Sequence, residues 1–149
     1  MRAVVQRVSR ASVRVAGRLT GAIATGLLVF VGIGTDDQPS DADWLAEKIC
    51  GLRIFRDEAG LMNRSVGDVA GSILLVSQFT LHGDARKGRR PSFVRAAKEP
   101  QARALFDRVG TAAAARGIPV AYGEFGADMD VELVNQGPVT LLLDSKRTF

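Results

Sequence analysis

The run Gly26-Leu27-Leu28-Val29-Phe30-Val31-Gly32-Ile33 carries no polar side chain on either of its alternating faces. Side chains along a strand point to opposite faces in turn, so a segment apolar at every position must be covered above and below. It reads as the central strand of a sheet with packed layers on both sides. Asp36, Asp37 and Pro39 then close it with a loop. It is also the longest apolar run, far short of the ~20 residues that a membrane helix needs.

A second apolar run, Leu74-Leu75-Val76, ends in polar side chains. Ser77, Gln78, Phe79, Thr80 and Leu81 follow it, then Gly83, Asp84 and the basic loop Arg86-Lys87-Gly88-Arg89-Arg90. A buried strand that delivers hydroxyl and amide groups to its rim, beside a cationic loop, suggests a site for a polar, anionic ligand. Four cations within five residues repel one another unless an anion approaches, and the net charge of +4 points the same way.

The remaining segments supply a scaffold. Residues 2–15 alternate and read as strand, short connection, strand, with Gly17-Arg18 turning into a strand at Leu19–Ile23. Ser40 with Asp43 fits a capping box, and Ala42, Leu45, Ile49 and Leu52 give the following helix one apolar stripe. Cys50 lies beside that stripe as a small packing residue. Residues 54–56 suggest a short strand, 57–60 its turn, 61–71 an irregular stretch and 72–79 the strand that carries the polar rim. Ser92 would cap a short helix Phe93–Lys98. Pro100 opens another helix striped by Ala102, Leu105, Phe106, Val109 and Ala113, which Gly117 ends. Strands follow at 118–122, 129–134 and 139–143, the last two joined by a tight turn at Gly137-Pro138. Some strands are joined by turns and others by helices, which predicts one layered α/β domain over 1–149, with a mixed sheet packed by two main helices.

The missing motifs narrow the chemistry. There is no GxGxxG and no P-loop. Val76-Ser77-Gln78 is not a GxSxG elbow. His82 is the only histidine; it could serve as a base near Ser77 or Thr80, but its place in a polar loop favours a surface role. One histidine and one cysteine cannot supply three zinc ligands without carboxylates, so zinc is disfavoured. One cysteine also excludes an internal disulfide. Arg2, Arg7 and Arg10 interrupt any signal-peptide core, which leads to an expected cytoplasmic location. What remains is the hydroxyls of Ser77 and Thr80, the Gln78 amide, and main-chain N–H groups around Phe79 and Thr80. These could polarise the carbonyl of an activated substrate such as an ester. The hydroxyls could equally be ordinary strand-end groups that satisfy the backbone.

An ordered set of short motifs adds a resemblance. Met1-Arg2-Ala3-Val4-Val5-Gln6-Arg7-Val8, Leu52-Arg53-Ile54-Phe55, Ser77-Gln78-Phe79-Thr80-Leu81, Arg90-Pro91-Ser92-Phe93, Phe125-Gly126-Ala127-Asp128-Met129 and Asn135-Gln136-Gly137-Pro138-Val139-Thr140 together closely resemble the D-aminoacyl-tRNA deacylases. The likeness spans essentially the whole chain. It implies a homodimer with a largely antiparallel, barrel-like sheet that works without metal or cofactor on aminoacylated tRNA. The ester joining a D-amino acid, or mischarged glycine, to the terminal adenosine would be hydrolysed. Ser77, Gln78, Phe79 and Thr80 would line the pocket and Met129 would wall it. Gly137-Pro138, with a cis bond, would enter the partner's pocket as a gate against L-residues. Arg86, Lys87, Arg89 and Arg90 are the expected tRNA-binding cations. Main-chain groups and the RNA's own 2′-hydroxyl would carry the chemistry, with Thr80 as a candidate nucleophile. Gln136 departs from the pattern, which usually has Asp there. Two other readings compete: a nonenzymatic RNA-binding module using the basic loop, and a small-molecule esterase with Thr80 or Ser77 as nucleophile.

Overall fold

In the computed structural model, which describes all 149 residues, two long strands organise the sheet. β1 (Arg2–Val15) is one strand of 14 residues and not two strands with a connection. Its N-terminal half gives Ala3 and Val5 to one apolar core, and its C-terminal half gives Val8, Ala11 and Val13 to another. The polar pair Ser9-Arg10 lies within that second half, at a register shift against the C-terminal strand, and is not a turn. The hairpin bends at Ala16-Gly17, both with positive φ (49° and 79°), one residue earlier than expected, and leads into β2 (Arg18–Ile23).

β3 (Gly26–Gly32) pairs antiparallel with β1 and parallel with β6 (Ser72–Ser77), which runs parallel to β7 (Val120–Tyr122). The sheet is therefore mixed. Leu27, Val29 and Val31 face the helices while Leu28 faces the opposite core, so β3 is covered on both sides as its composition demands. β2 curls round to meet β7 and nearly closes a barrel. The approach is so tight that a Cβ on Gly21 would lie 2.3 Å from the Tyr122 carbonyl oxygen.

α1 (Pro39–Gly51) and α2 (Gln101–Ala114) cover the larger core, and Arg108 clamps them by donating to both Asp43 carboxylate oxygens at 2.7 and 2.8 Å. The start of α1 corrects the expected Ser40–Asp43 cap. Pro39 takes the first helical position, so Gln38 becomes the N-cap and donates its N–H to Asp41 at 2.8 Å. The short helix expected over Phe93–Lys98 does not form. Its backbone is bound elsewhere: Ser92 pairs with Asp84, the Arg95 carbonyl accepts from Thr35, and the Ala97 N–H donates to Ile33. Within the stretch expected to be irregular, β5 (Met62–Arg64) pairs with β4 (Phe55–Arg56). No helix is long and apolar enough to cross a membrane.

β8 (Asp130–Asp144) is also a single strand, so Gly137-Pro138 does not form a hairpin turn. Asn135 pairs with Val8 and Thr140 with Gln6, which leaves residues 136–139 bulged opposite Arg7 alone. β8 pairs with no strand but β1, and a bulge on an edge strand accepts a proline that a central ladder would reject.

Buried Asp41 yields a pH prediction. Burial raises its pKa, but hydrogen bonds from Ser145, Lys146 and Gln38 outweigh this and hold it at about 2. A folded-state pKa below the unfolded value of ~3.9 contributes stability above that pH, and the contribution is lost as pH falls through the folded value. Urea midpoints should therefore drop between pH 4 and pH 2, and Asp41→Asn should flatten that slope. An unchanged slope would show that Asp41 contributes nothing.

Candidate active site

β3 and β6 end side by side, and beyond their C-terminal ends lies a cavity of about 600 Å³. Val31 and Val76 contribute its apolar floor, and Ser77 and Gln78 its polar edge. Segments 93–99 and 125–129 close the sides. Phe125 rests against Phe106, with centroids 5.5 Å apart, and the Arg103 guanidinium lies 5.1 Å from the Phe125 ring centre. At the mouth, Phe79 and Phe93 meet edge to face at 5.2 Å. Met129 stands in the wall, and Gly123 makes room for it, since a Cβ there would come 2.8 Å from its sulfur.

β6 stops at Ser77, and a 3₁₀ turn over Phe79–His82 follows. This redirects the motif. Ser77, Gln78 and Phe79 border the cavity, whereas Thr80 lies outside its lining, exposed, with its hydroxyl oxygen accepting from the Gln78 amide. The Gln78 N–H continues the β3 pairing at 2.8 Å to Val31. The Phe79 and Thr80 N–H groups, the first donors of the 3₁₀ turn, donate to nothing in the protein. His82 corrects another expectation, because it is buried and its Nε2–H donates to the Gly32 carbonyl at 3.1 Å. Burial, aided by the charge of Arg2, lowers its pKa in opposition to that hydrogen bond. The ring is a neutral strut under the turn and makes no bond to Ser77 or Thr80.

The basic loop is closed at its base by paired Asp84–Ser92 backbone bonds of 2.8 and 2.9 Å. Arg86 is clamped by both oxygens of the Asp84 carboxylate, whose pKa is pulled far down by that contact. Lys87, Arg89 and Arg90 are exposed and make no ion pair.

The Gly137–Pro138 bond is cis, as is Glu99–Pro100. The residue that fixes the bulge is one that sequence reading passed over. Arg7, 4% exposed, donates from Nε to the Gln136 carbonyl at 3.0 Å and from Nη1 to the Ile54 carbonyl at 2.6 Å. Burial lowers its pKa, with nearby Arg56 adding to the effect. A signal for it existed: Arg7 falls on the inward parity of Ala3 and Val5, where a charge needs partners. Asn135 spans the bulge by accepting from the Val139 N–H and donating to the Thr140 hydroxyl. The Gln136 side chain is exposed and makes no hydrogen bond, so the departure at that position leaves this network to main-chain groups. Neither Gly137 nor Pro138 borders the cavity. The eight residue steps from Met129 to Gly137 span roughly 25 Å of strand within one copy.

Known proteins share this sequence pattern and this fold. A model of the D-Tyr-tRNA(Tyr) deacylase family matches residues 4–144. The chain is 59% identical over 149 residues to a D-aminoacyl-tRNA deacylase of Koribacter versatilis and 56% identical over 149 residues to one of Thermotoga petrophila, covering 100% of each. A solved structure described as a c-Myc DNA unwinding element binding protein superposes with a TM-score of 0.91 at 40% identity, over 97% of this chain and 98% of that one. A probable eukaryotic D-amino acid tRNA deacylase superposes with a TM-score of 0.81 at 19% identity, over 95% of this chain and 97% of that one, which speaks to the fold alone. The barrel-like mixed sheet with two helices is thus the fold these proteins share. The chain belongs to the D-aminoacyl-tRNA deacylase family, and is a hydrolase of carboxylic esters.

Proposed function

We propose that this enzyme hydrolyses the ester joining a D-amino acid, or glycine, to the terminal adenosine of tRNA, and that it does so as a homodimer. The observation that carries this reading is the combination at the cavity edge. An apolar chamber of about 600 Å³ suits a nucleoside with an attached aminoacyl group, and the turn that follows its polar edge carries main-chain donors unused in the protein and no activated nucleophile. The Phe79 and Thr80 N–H groups would take the developing oxyanion, the Ser77 hydroxyl and Gln78 amide would orient the ester, and the RNA's 2′-hydroxyl would assist attack by water. Phe79 and Met129 would hold the adenosine end.

The gate works in trans in this reading. Gly137-Pro138 sits too far along β8 to reach the cavity of its own chain, so it serves the cavity of a second copy. There, backbone oxygens would fix the substrate ammonium group. With ammonium and ester both held, a D-side chain points out of the pocket, an L-side chain strikes the Gly-Pro backbone, and glycine passes. Lys87, Arg89 and Arg90 would neutralise tRNA phosphates, with Arg86 serving chiefly to shape their loop.

Deacylation of matched D- and L-tyrosyl-tRNA tests the reading, and rapid release of the D-amino acid with the L-ester intact is the expected result. Two intact esters would leave an RNA-binding module. Equal release from a simple D-amino acid ester lacking RNA would favour a small-molecule esterase. In the same assay, replacing Lys87 and Arg89 by Gln should weaken tRNA binding and reduce the salt slope by roughly two phosphate contacts. An unchanged slope would make the loop a solvated face.

A further inference from the structure

The basic loop runs straight into apolar surface that the cavity leaves in water. Phe79 is 57% exposed, Phe93 37% and Val94 82%; Phe93 and Val94 follow Arg90 closely along the chain, and Phe79 meets Phe93. Three large apolar side chains held in solvent at the mouth of a site mark a contact surface. The two rings are also held firmly. Phe93 sits against Gly83, where a Cβ would come 2.9 Å from its Cε1, and meets the Phe79 ring at 5.2 Å. The Asp84–Ser92 backbone pair fixes the chain before Phe93, and the Ala96 N–H donates to the Phe93 carbonyl at 3.0 Å after it. The surface is therefore set before any ligand arrives. Beside it stand three cations without ion-pair partners, Lys87, Arg89 and Arg90. A fixed aromatic face next to a cationic arm is what single-stranded nucleic acid binds, through base stacking and phosphate neutralisation.

We propose that the outward surface of Phe93, with Val94 and the exposed edge of Phe79, is a stacking platform for the nucleotide on the 5′ side of the terminal adenosine. Its phosphate is held by the free cations of the loop. The platform deepens the tRNA reading above and rests on it. It reads no base, because every base offers a π-face, so it would serve all tRNAs alike. Its effect is to separate grip on the RNA strand from recognition of the ester inside the cavity. A partner protein would also cover apolar surface, but the density of unpaired positive charge favours a polyanion.

The test compares two substrates, D-tyrosyl-tRNA and the D-tyrosyl ester of adenosine alone, under steady-state conditions. Phe93→Leu keeps the apolar bulk and removes the ring, and Val94→Ser alters only an exposed position. With Phe93→Leu, kcat/KM on the tRNA should fall roughly 5- to 150-fold more than on the adenosine ester, the range expected for one base stack. The excess should appear in KM, Phe93→Trp should restore it, and Val94→Ser should produce a smaller excess. Equal losses on the two substrates, or no loss on either, overturn the platform and leave Phe93 as cavity wall or as a protein-docking residue. If the unaltered protein cleaves neither ester, the deacylase reading fails separately. The platform is then decided by whether Phe93→Leu weakens binding of an uncharged oligonucleotide ending in CCA more than binding of adenosine monophosphate.

Discussion

Gly137→Ala should lower hydrolysis of D-aminoacyl-tRNA about 100-fold or more while leaving the chain folded. Gly137 has φ +128°, a region that side-chain-bearing residues rarely enter. A Cβ there would lie 2.7 Å from Arg7 Nη2 and 3.0 Å from Val139 Cγ2. Arg7 cannot retreat, because its guanidinium is buried and tied to the carbonyls of Gln136 and Ile54. The bulge must move instead. A displacement near 1 Å is enough to cost about 10²-fold when it spoils the alignment of a reacting group. Stability should change less, by about 1–3 kcal/mol, because the strain is confined to one bulge on an edge strand. The trans arrangement has its own signature. Gly137→Ala mixed with a second variant whose cavity is filled, Ala102→Trp, should recover about a quarter of the active sites through hybrid dimers if subunits exchange at random. No recovery would place gate and cavity in one chain. Full activity of Gly137→Ala would remove the gate altogether.

Much of this architecture is legible locally and some of it is not. β3 is recognisable because its apolar character on both faces is a property of the strand alone. The stripe of α2 is equally local. β1 and β8 are misread as interrupted because Ser9-Arg10 and Asn135-Gln136-Gly137-Pro138 look like breaks. Pairing along the whole length of both strands carries the chain through them, and the extra residues are absorbed as a bulge. The helix expected after Ser92 fails for the same kind of reason, since bonds to Ile33, Thr35 and Asp84 satisfy its backbone first. His82 looks exposed among polar neighbours, but the 3₁₀ turn swings it inward onto Gly32. In the site, Ser77 and Gln78 are found where a strand-end reading puts them. Thr80 is not, because one turn after the strand carries it past the cavity edge. Arg7 shows the limit most clearly. Its inward parity is visible in the sequence, but its partners lie 47 and 129 residues away.

Thr80→Ala and Ser77→Ala should each keep single-turnover activity within about tenfold of the unaltered enzyme, whereas loss of a true nucleophile costs about 10⁴- to 10⁶-fold. The expectation comes from what surrounds the two hydroxyls. Thr80 lies outside the cavity lining, and its hydroxyl oxygen accepts a hydrogen bond from the Gln78 amide, a group that cannot act as a base. Ser77 borders the cavity but no imidazole or carboxylate hydrogen-bonds to it. The single imidazole is occupied at Gly32, and its pKa is lowered by burial. Without a base to take its proton, an alcohol is a poor nucleophile at neutral pH. The main-chain donors of Phe79 and Thr80 survive both substitutions, so the oxyanion would still be met. The hydroxyl whose loss should matter is on the substrate. A tRNA with a 2′-deoxy terminal adenosine, charged through its 3′-oxygen, should be cleaved about 10²- to 10⁴-fold more slowly, the contribution of one well-placed proton-transfer group. Mass spectrometry of the quenched reaction supplies the opposing outcome: an aminoacyl adduct on Thr80 or Ser77, together with normal cleavage of the 2′-deoxy substrate, would establish a covalent enzyme in place of an RNA-assisted one.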